Sequence, residues 1–218
     1  MSLTEPPRPE VPPAVRLQIL ATEHWSLLAT RSTMWAEVMS RITIHLTVSS
    51  ATLVVLALVG QASEFGVPFR MLAMGLASVT LLLGTLTGVR VMNASQDDAG
   101  LILAMNRLRG AYVEIDPTAG AHFRTSTLDD DAGLIRTYTL GTPRSTVSHV
   151  LGSTAFFMNV VNAVVAGTLG ALVADAVGGS VTLVTVAGVL AGLFYLTLML
   201  EVGRRMFSRT PFDVDNPR

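Results

Sequence analysis

AVRLQILATEHWSLLATRSTMWAEVMSRITIHLTVSSATLVVLALV, residues 14–59, holds neither glycine nor proline, and it begins directly after Pro12-Pro13. Those are the two residue types that interrupt helices, so the segment reads as one unbroken helix. In its first half, residues 14–41, apolar side chains fall at Leu17, Leu20, Leu27, Leu28, Met34, Trp35, Val38 and Met39. That three-and-four spacing defines a single helix face that must be covered. The second half, ITIHLTVSSATLVVLALVG at residues 42–60, carries no charge when His45 is neutral. About twenty such residues match the hydrocarbon thickness of a bilayer. At ~1.5 Å per residue the rod reaches roughly 70 Å, of which about 30 Å fits within a membrane. More than half is therefore expected to lie outside it.

Working outward, residues 61–68 form a polar turn, and Pro68 suits the first turn of a second helix, where its missing N–H costs nothing. The second span covers residues 69–91 and contains Gly84-Thr-Leu-Thr-Gly88, a GxxxG pattern that lets another helix backbone approach closely in lipid. The helical pattern continues through residues 92–116, with Asp98, Leu101, Ile102, Met105, Leu108, Tyr112 and Ile115 on one face, and stops at Asp116-Pro117. Two rods of similar length joined by a short turn predict an antiparallel hairpin whose extramembrane halves bury their apolar stripes together. That register brings Asp98 near Arg31, so an ion pair between them is expected.

His24 and Arg31 sit on the first rod's stripe, in the seven-residue steps Leu17, His24, Arg31 and Val38. A polar residue on such a seam sets register or snorkels to its edge. With Trp35 and Asp98 they are the candidate residues for a cytoplasmic interaction. Glu37 and Arg41 form an i,i+4 pair.

Residues 117–142 form a loop with a short helix, where Thr127-Leu-Asp-Asp130 resembles a capping box and Asp129, Asp130 and Asp131 read as a solvated helix start. Pro143 opens a third helix, with a span at residues 150–177 that carries Asn159 and Asn162. Amides within a membrane must face protein or a water-filled space. After Gly178-Gly179, the fourth span at residues 181–202 holds a second GxxxG, Gly188 and Gly192, and Glu201 lies one turn before Arg204 and Arg205. Residues 1–13, rich in proline, and 203–218 are expected to be a disordered lead and a cytoplasmic tail.

Half of the 218 residues are hydrophobic, which places the chain among membrane proteins. The formal net charge of −1 argues against nucleic acid as a partner. With no cysteine, disulfides, thiol nucleophiles and thiolate metal sites are excluded. All basic residues are arginine, and of the fifteen only Arg70 falls on the side of the spans opposite the termini. That bias predicts a multi-pass inner (plasma) membrane protein with both termini and the central segment in the cytoplasm.

None of the four spans has Asp, Glu or Arg near its centre, which argues against ion-driven transport. His24, His45, His122 and His149 show no ligand spacing, and neither GxSxG nor HExxH occurs, so neither enzyme activity nor a cofactor or metal is expected. The fold class expected is all-α, with four transmembrane helices. Its topology of cytoplasmic helix, tight membrane hairpin and returning helix resembles small bacterial two-span effector proteins, from which no residue role is carried over. The functional expectation is a non-catalytic membrane module that self-associates, or docks another membrane or cytoplasmic protein, through its cytoplasmic hairpin. The alternative is a homo-oligomeric pore lined by Ser49, Ser50 and Thr52, or by Asn159, Asn162 and Thr168. In either case Gly84, Gly88, Gly188 and Gly192 are helix-packing positions, and the bilayer is a partner.

Overall fold

The computed structural model describes residues 11–142 and 145–208, with the backbone alone for Thr146, His149, Phe207 and Ser208. Most of the Pro-rich lead, Arg144, the His149 side chain and the end of the tail therefore lie outside the described residues. Helices α1 (Pro13–Ala62), α2 (Val67–Ile115), α3 (Asp131–Thr139), α4 (Thr146–Leu151), α5 (Thr154–Ala176) and α6 (Val181–Ser208) follow in order, with a 3-10 turn at Pro117–His122 between α2 and α3. No strand occurs among the described residues. The protein is all-helical, and α1, α2, α5 and α6 are each long and apolar enough to cross a membrane.

Three local readings change. The first turn is tighter than 61–68, because α1 runs on to Ala62 and α2 begins at Val67. Phe65, at φ 56°, folds its ring over Gly60, where an added Cβ would stand 2.6 Å from the ring. Its N–H also donates to Gly60 O at 3.1 Å. Second, Pro143 lies outside the described residues, and the third helix is interrupted between α4, which ends at Leu151, and α5, which begins at Thr154. Ser153 breaks it by capping α5, its Oγ accepting from Phe156 N at 3.1 Å and donating to Val150 O at 2.8 Å. Third, the cap of α3 is Asp130, whose Oδ1 accepts from Gly133 N at 2.7 Å, rather than Thr127.

The chain folds as two compact units, one of residues 11–33 and 98–142, the other of residues 34–97 and 145–208. In the first, residues of α1 and α2 pair in opposite order along the chain. Arg16 Nη2 lies 3.5 Å from Glu114, Tyr112 Oη donates to Leu20 O at 3.0 Å, and Arg31 Nε donates to Asp98 Oδ1 at 2.6 Å. Ile102, Leu103 and Met105 supply the buried apolar face of α2. Burying side chains of this size contributes about 1.5–3 kcal/mol each.

The insert is held to α2 by Asn106, a wholly buried residue that the apolar pattern did not single out. Its Nδ2 donates to Leu128 O at 2.9 Å, and its Oδ1 accepts from Thr137 Oγ1 at 3.0 Å and Arg109 Nη1 at 2.8 Å. A satisfied buried amide of this kind fixes one docking geometry, because any other leaves its polar atoms unpaired.

In the second unit, Val38 and Ile42 of α1, Val91 and Ala94 of α2 and Met158 of α5 form a buried cluster, with Trp35 packed against it. Arg90 Nη2 donates to Glu37 Oε2 at 2.7 Å, and Arg41 Nε donates to Glu37 Oε1 at 2.6 Å. Arg70 pairs with Asp175 at 3.1 Å. Helices α5 and α6 meet through backbone: a Cβ on Gly167 would lie 2.9 Å from Gly188 O, and one on Gly192 would lie 2.9 Å from Ala163 O. Among apolar helices burial supplies little drive, so this close approach carries the pairing.

Candidate functional site

Three constellations gather the polar residues of the described chain. The first is a buried carboxylate. Asp98 is 2 % exposed and accepts from Arg31 Nε at 2.6 Å, from Arg31 Nη2 at 3.2 Å and from Tyr138 Oη at 2.7 Å. The ion pair expected from register is therefore present, and α3 contributes a phenol that the sequence did not point to. Burial and the bond to Asp98 push the Tyr138 hydroxyl well above its ordinary range. His24 stacks on Tyr112 with ring centroids 5.9 Å apart. His24, Arg31, Trp35 and Asp98 all make contacts within the chain.

The second constellation lies in the other unit, where α1, α2 and α5 come together at Gly84. His45, Asn159 and Asn162 are all at most 2 % exposed. Asn162 Oδ1 occupies the notch where a Cβ of Gly84 would stand, and His45 Cε1 lies 2.7 Å from the same point. At Gly88, one turn on, the corresponding distances are 3.6 Å to Asn159 Oδ1 and 3.9 Å to Asn162 Nδ2. The first GxxxG thus receives amides rather than another backbone. Thr80, one turn before Gly84, is buried on the same helix. Both imidazole nitrogens of His45, Thr80 Oγ1, Asn159 Oδ1 and both amide atoms of Asn162 have no protein hydrogen-bond partner.

The sequence marks the two asparagines and the two glycines as packing or pore residues, and gives His45 no ligand spacing. It could not join them, because their meeting depends on the rotation of α1 and α5 against α2. The other candidate pore hydroxyls bond to their own helices: Ser49 Oγ to His45 O at 2.8 Å, Ser50 Oγ to Leu46 O at 2.9 Å and Thr168 Oγ1 to Val164 O at 2.9 Å. Thr52 is half-buried. Gly188 and Gly192 are occupied by α5.

The third constellation is the side of α1 turned away from its buried face. In the first unit, Val15, Ile19, Thr22, Ser26, Ala29 and Thr33 are exposed; in the second, Ala36, Ser40, Thr43, Thr47, Ser50, Val54 and Ala57 are exposed. Each set steps by alternating threes and fours, the spacing of a helix seam. Hydroxyls along it turn inward to their own backbone, as Thr33 does to Ala29 O at 3.0 Å, Thr43 to Met39 O at 2.9 Å and Thr47 to Thr43 O at 2.8 Å. What remains outside is mostly Ala, Ser and Thr, with Val15, Ile19 and Val54 as larger exposed apolar residues among them. The signal was present in the sequence, but Ala, Ser and Thr are weak markers beside the Leu and Met of the opposite face.

Among the described residues, no group of three or more His, Asp or Glu side chains is placed to hold a metal ion. Comparison with protein families, with curated proteins and with solved structures finds no match to this chain.

Proposed function

We propose that the protein is a non-catalytic, multi-pass membrane module that self-associates through α1, with both termini and an antiparallel α1–α2 hairpin on the cytoplasmic side. The observation that carries this reading is the exposed seam of small residues on α1. The Ala, Ser and Thr positions of this seam suit close approach by an equally small face. Gly84, Gly88, Gly167, Gly188 and Gly192 of α2, α5 and α6 are taken up within the chain, and Gly75 and Gly100 of α2 stand open but are not part of a seam of this length. That leaves the α1 seam of a second copy as its complement. The opposite ordering of Arg16, Leu20 and Arg31 against Glu114, Tyr112 and Asp98 supports the hairpin, and the arginine bias supports its orientation. The burial of Asn159 and Asn162 inside one chain counts against a pore lined by them.

The absence of cysteine makes the test direct. Single cysteines at Ala29, Ala36, Ser40 and Thr47, oxidised in native membranes, are expected to give disulfide-linked dimers. Cysteine at Leu53, which is exposed on another face of α1, is expected to give few. Cross-linking without this periodicity, or a monomer by mass in lipid nanodiscs, removes the self-association reading. Reproducible conductance in planar bilayers that changes with Asn159→Leu would replace the module by the pore.

A further inference from the structure

Within the second unit, six buried polar atoms of four side chains have no protein partner; His45, Asn159 and Asn162 meet α2 at Gly84 and Gly88, and Thr80 lies on α2 one turn before Gly84. Leaving such an atom unsatisfied costs roughly 1–3 kcal/mol, and a group of them persists in a folded protein only when something completes its bonds. The chemistry of the set states what that is. Asn159 Oδ1, Asn162 Oδ1 and the unprotonated imidazole nitrogen of His45 can only accept; Asn162 Nδ2 and the other imidazole nitrogen can only donate; Thr80 Oγ1 does both.

A bare cation would satisfy the acceptors and leave the donors facing a positive charge. An anion would do the reverse. A direct clasp of the side chains is the other way to satisfy them. At Gly84 the imidazole presents Cε1 to the notch that Asn162 Oδ1 fills, and a ring flip would present Nε2 there instead. Slow transfer of water magnetisation to His45 is the outcome that selects the clasp. We infer that His45, Thr80, Asn159 and Asn162 form an internal site for water, a small neutral ligand that donates and accepts at once, held where α1, α2 and α5 meet. A buried water makes about three hydrogen bonds, so the six atoms match about two molecules. The site is independent of the seam on the exposed side of α1, and it stands whether or not the protein self-associates.

Water-edited solid-state NMR on the full chain in lipid bilayers, with labelled histidine, asparagine and valine, tests it. His45 signals are identified as those lost in His45→Phe. Magnetisation from water is expected to reach the His45 ring as quickly as that of exposed His122 and several-fold faster than it reaches buried Val38. Transfer to His45 as slow as to Val38 overturns the site; the transfer is measured on the wild-type protein, and His45→Phe serves only to assign the signal. Asn162→Leu, which keeps the volume and removes the polar atoms, is expected to slow the transfer several-fold; unchanged transfer in folded Asn162→Leu also overturns it. Exchanging sodium for potassium or choline is expected to leave the Asn159 and Asn162 side-chain shifts in place. A cation-dependent shift would overturn the assignment to a neutral ligand.

Discussion

Arg31 and Asp98 lie 67 positions apart in the chain and meet through two N–H···O bonds, from Nε at 2.6 Å and from Nη2 at 3.2 Å. Their environments differ: the Asp98 side chain is 2 % exposed and that of Arg31 is 35 % exposed. The asymmetry decides how each responds to losing the other. A buried carboxylate without its cation has nowhere to go, whereas a half-exposed guanidinium can turn to water.

Arg31→Leu is therefore expected to destabilise the protein by about 3–5 kcal/mol, and Asp98→Leu, compared in a Tyr138→Phe background so that no phenol is left without its acceptor, by clearly less. Thermal unfolding in nanodiscs followed by circular dichroism gives the order. Equal losses, or a larger loss for Asp98→Leu, would show that the pair contributes attraction rather than compensating a buried charge.

Gly84 and Gly88 belong to one GxxxG pattern but meet different surroundings. A methyl at Gly84 would collide with Asn162 Oδ1 and stand 2.7 Å from His45 Cε1, while at Gly88 its nearest neighbour is at 3.6 Å. Gly84→Ala is expected to lower the melting temperature sharply and Gly88→Ala to leave it nearly unchanged. Gly75→Ala, with open space around it, should be neutral or stabilising by up to about 1 kcal/mol through helix propensity. Similar losses at Gly84 and Gly88 would contradict the placement of Asn162.

The α5–α6 pair rests on backbone contact, which cannot yield as a side chain does. A Cβ at Gly192 would lie 2.9 Å from Ala163 O, and one at Gly188 would lie 3.0 Å from Gly167 O. Gly192→Val is expected to open this pair, measured as a loss of cross-linking between cysteines placed at Ala171 and Ala187. Retained cross-linking with an unchanged melting temperature would count against the close approach.

The long helices and the four apolar stretches were legible because glycine and proline are missing from 14–59 and because spans of about twenty apolar residues are a strong signal. The Arg31–Asp98 pair was legible from register alone. Asn106 and Tyr138 were not. Each acts across the junction between α2 and the insert, and no periodicity reports how a loop of that length folds back. The gathering of His45 with Asn159 and Asn162 was hidden for a related reason, since it depends on how three helices rotate about their axes. The break at Gly152-Ser153 was missed because serine at a cap and serine inside a helix look alike until its Oγ is seen accepting from Phe156 N.

Tyr138 gives the first unit a dependence on alkaline pH. Burial, followed by its bond to Asp98, raises its folded-state pKa above the value of about 10 for an unfolded chain. The folded protein thus holds the phenolic proton more tightly than the unfolded one. The associated stability is complete below about pH 10 and is lost as pH rises through the raised value. The phenolate would also face the Asp98 carboxylate, so its formation is expected to release α3 from α2. In a titration of phenolate absorbance, Tyr138→Phe should remove a step that lies well above the ordinary tyrosine range. The same variant should flatten the decline of melting temperature above about pH 10 while costing roughly 1 kcal/mol at neutral pH for the lost hydrogen bond. An alkaline limb identical in wild type and Tyr138→Phe would show that the proton on Tyr138 is not what holds α3 in place.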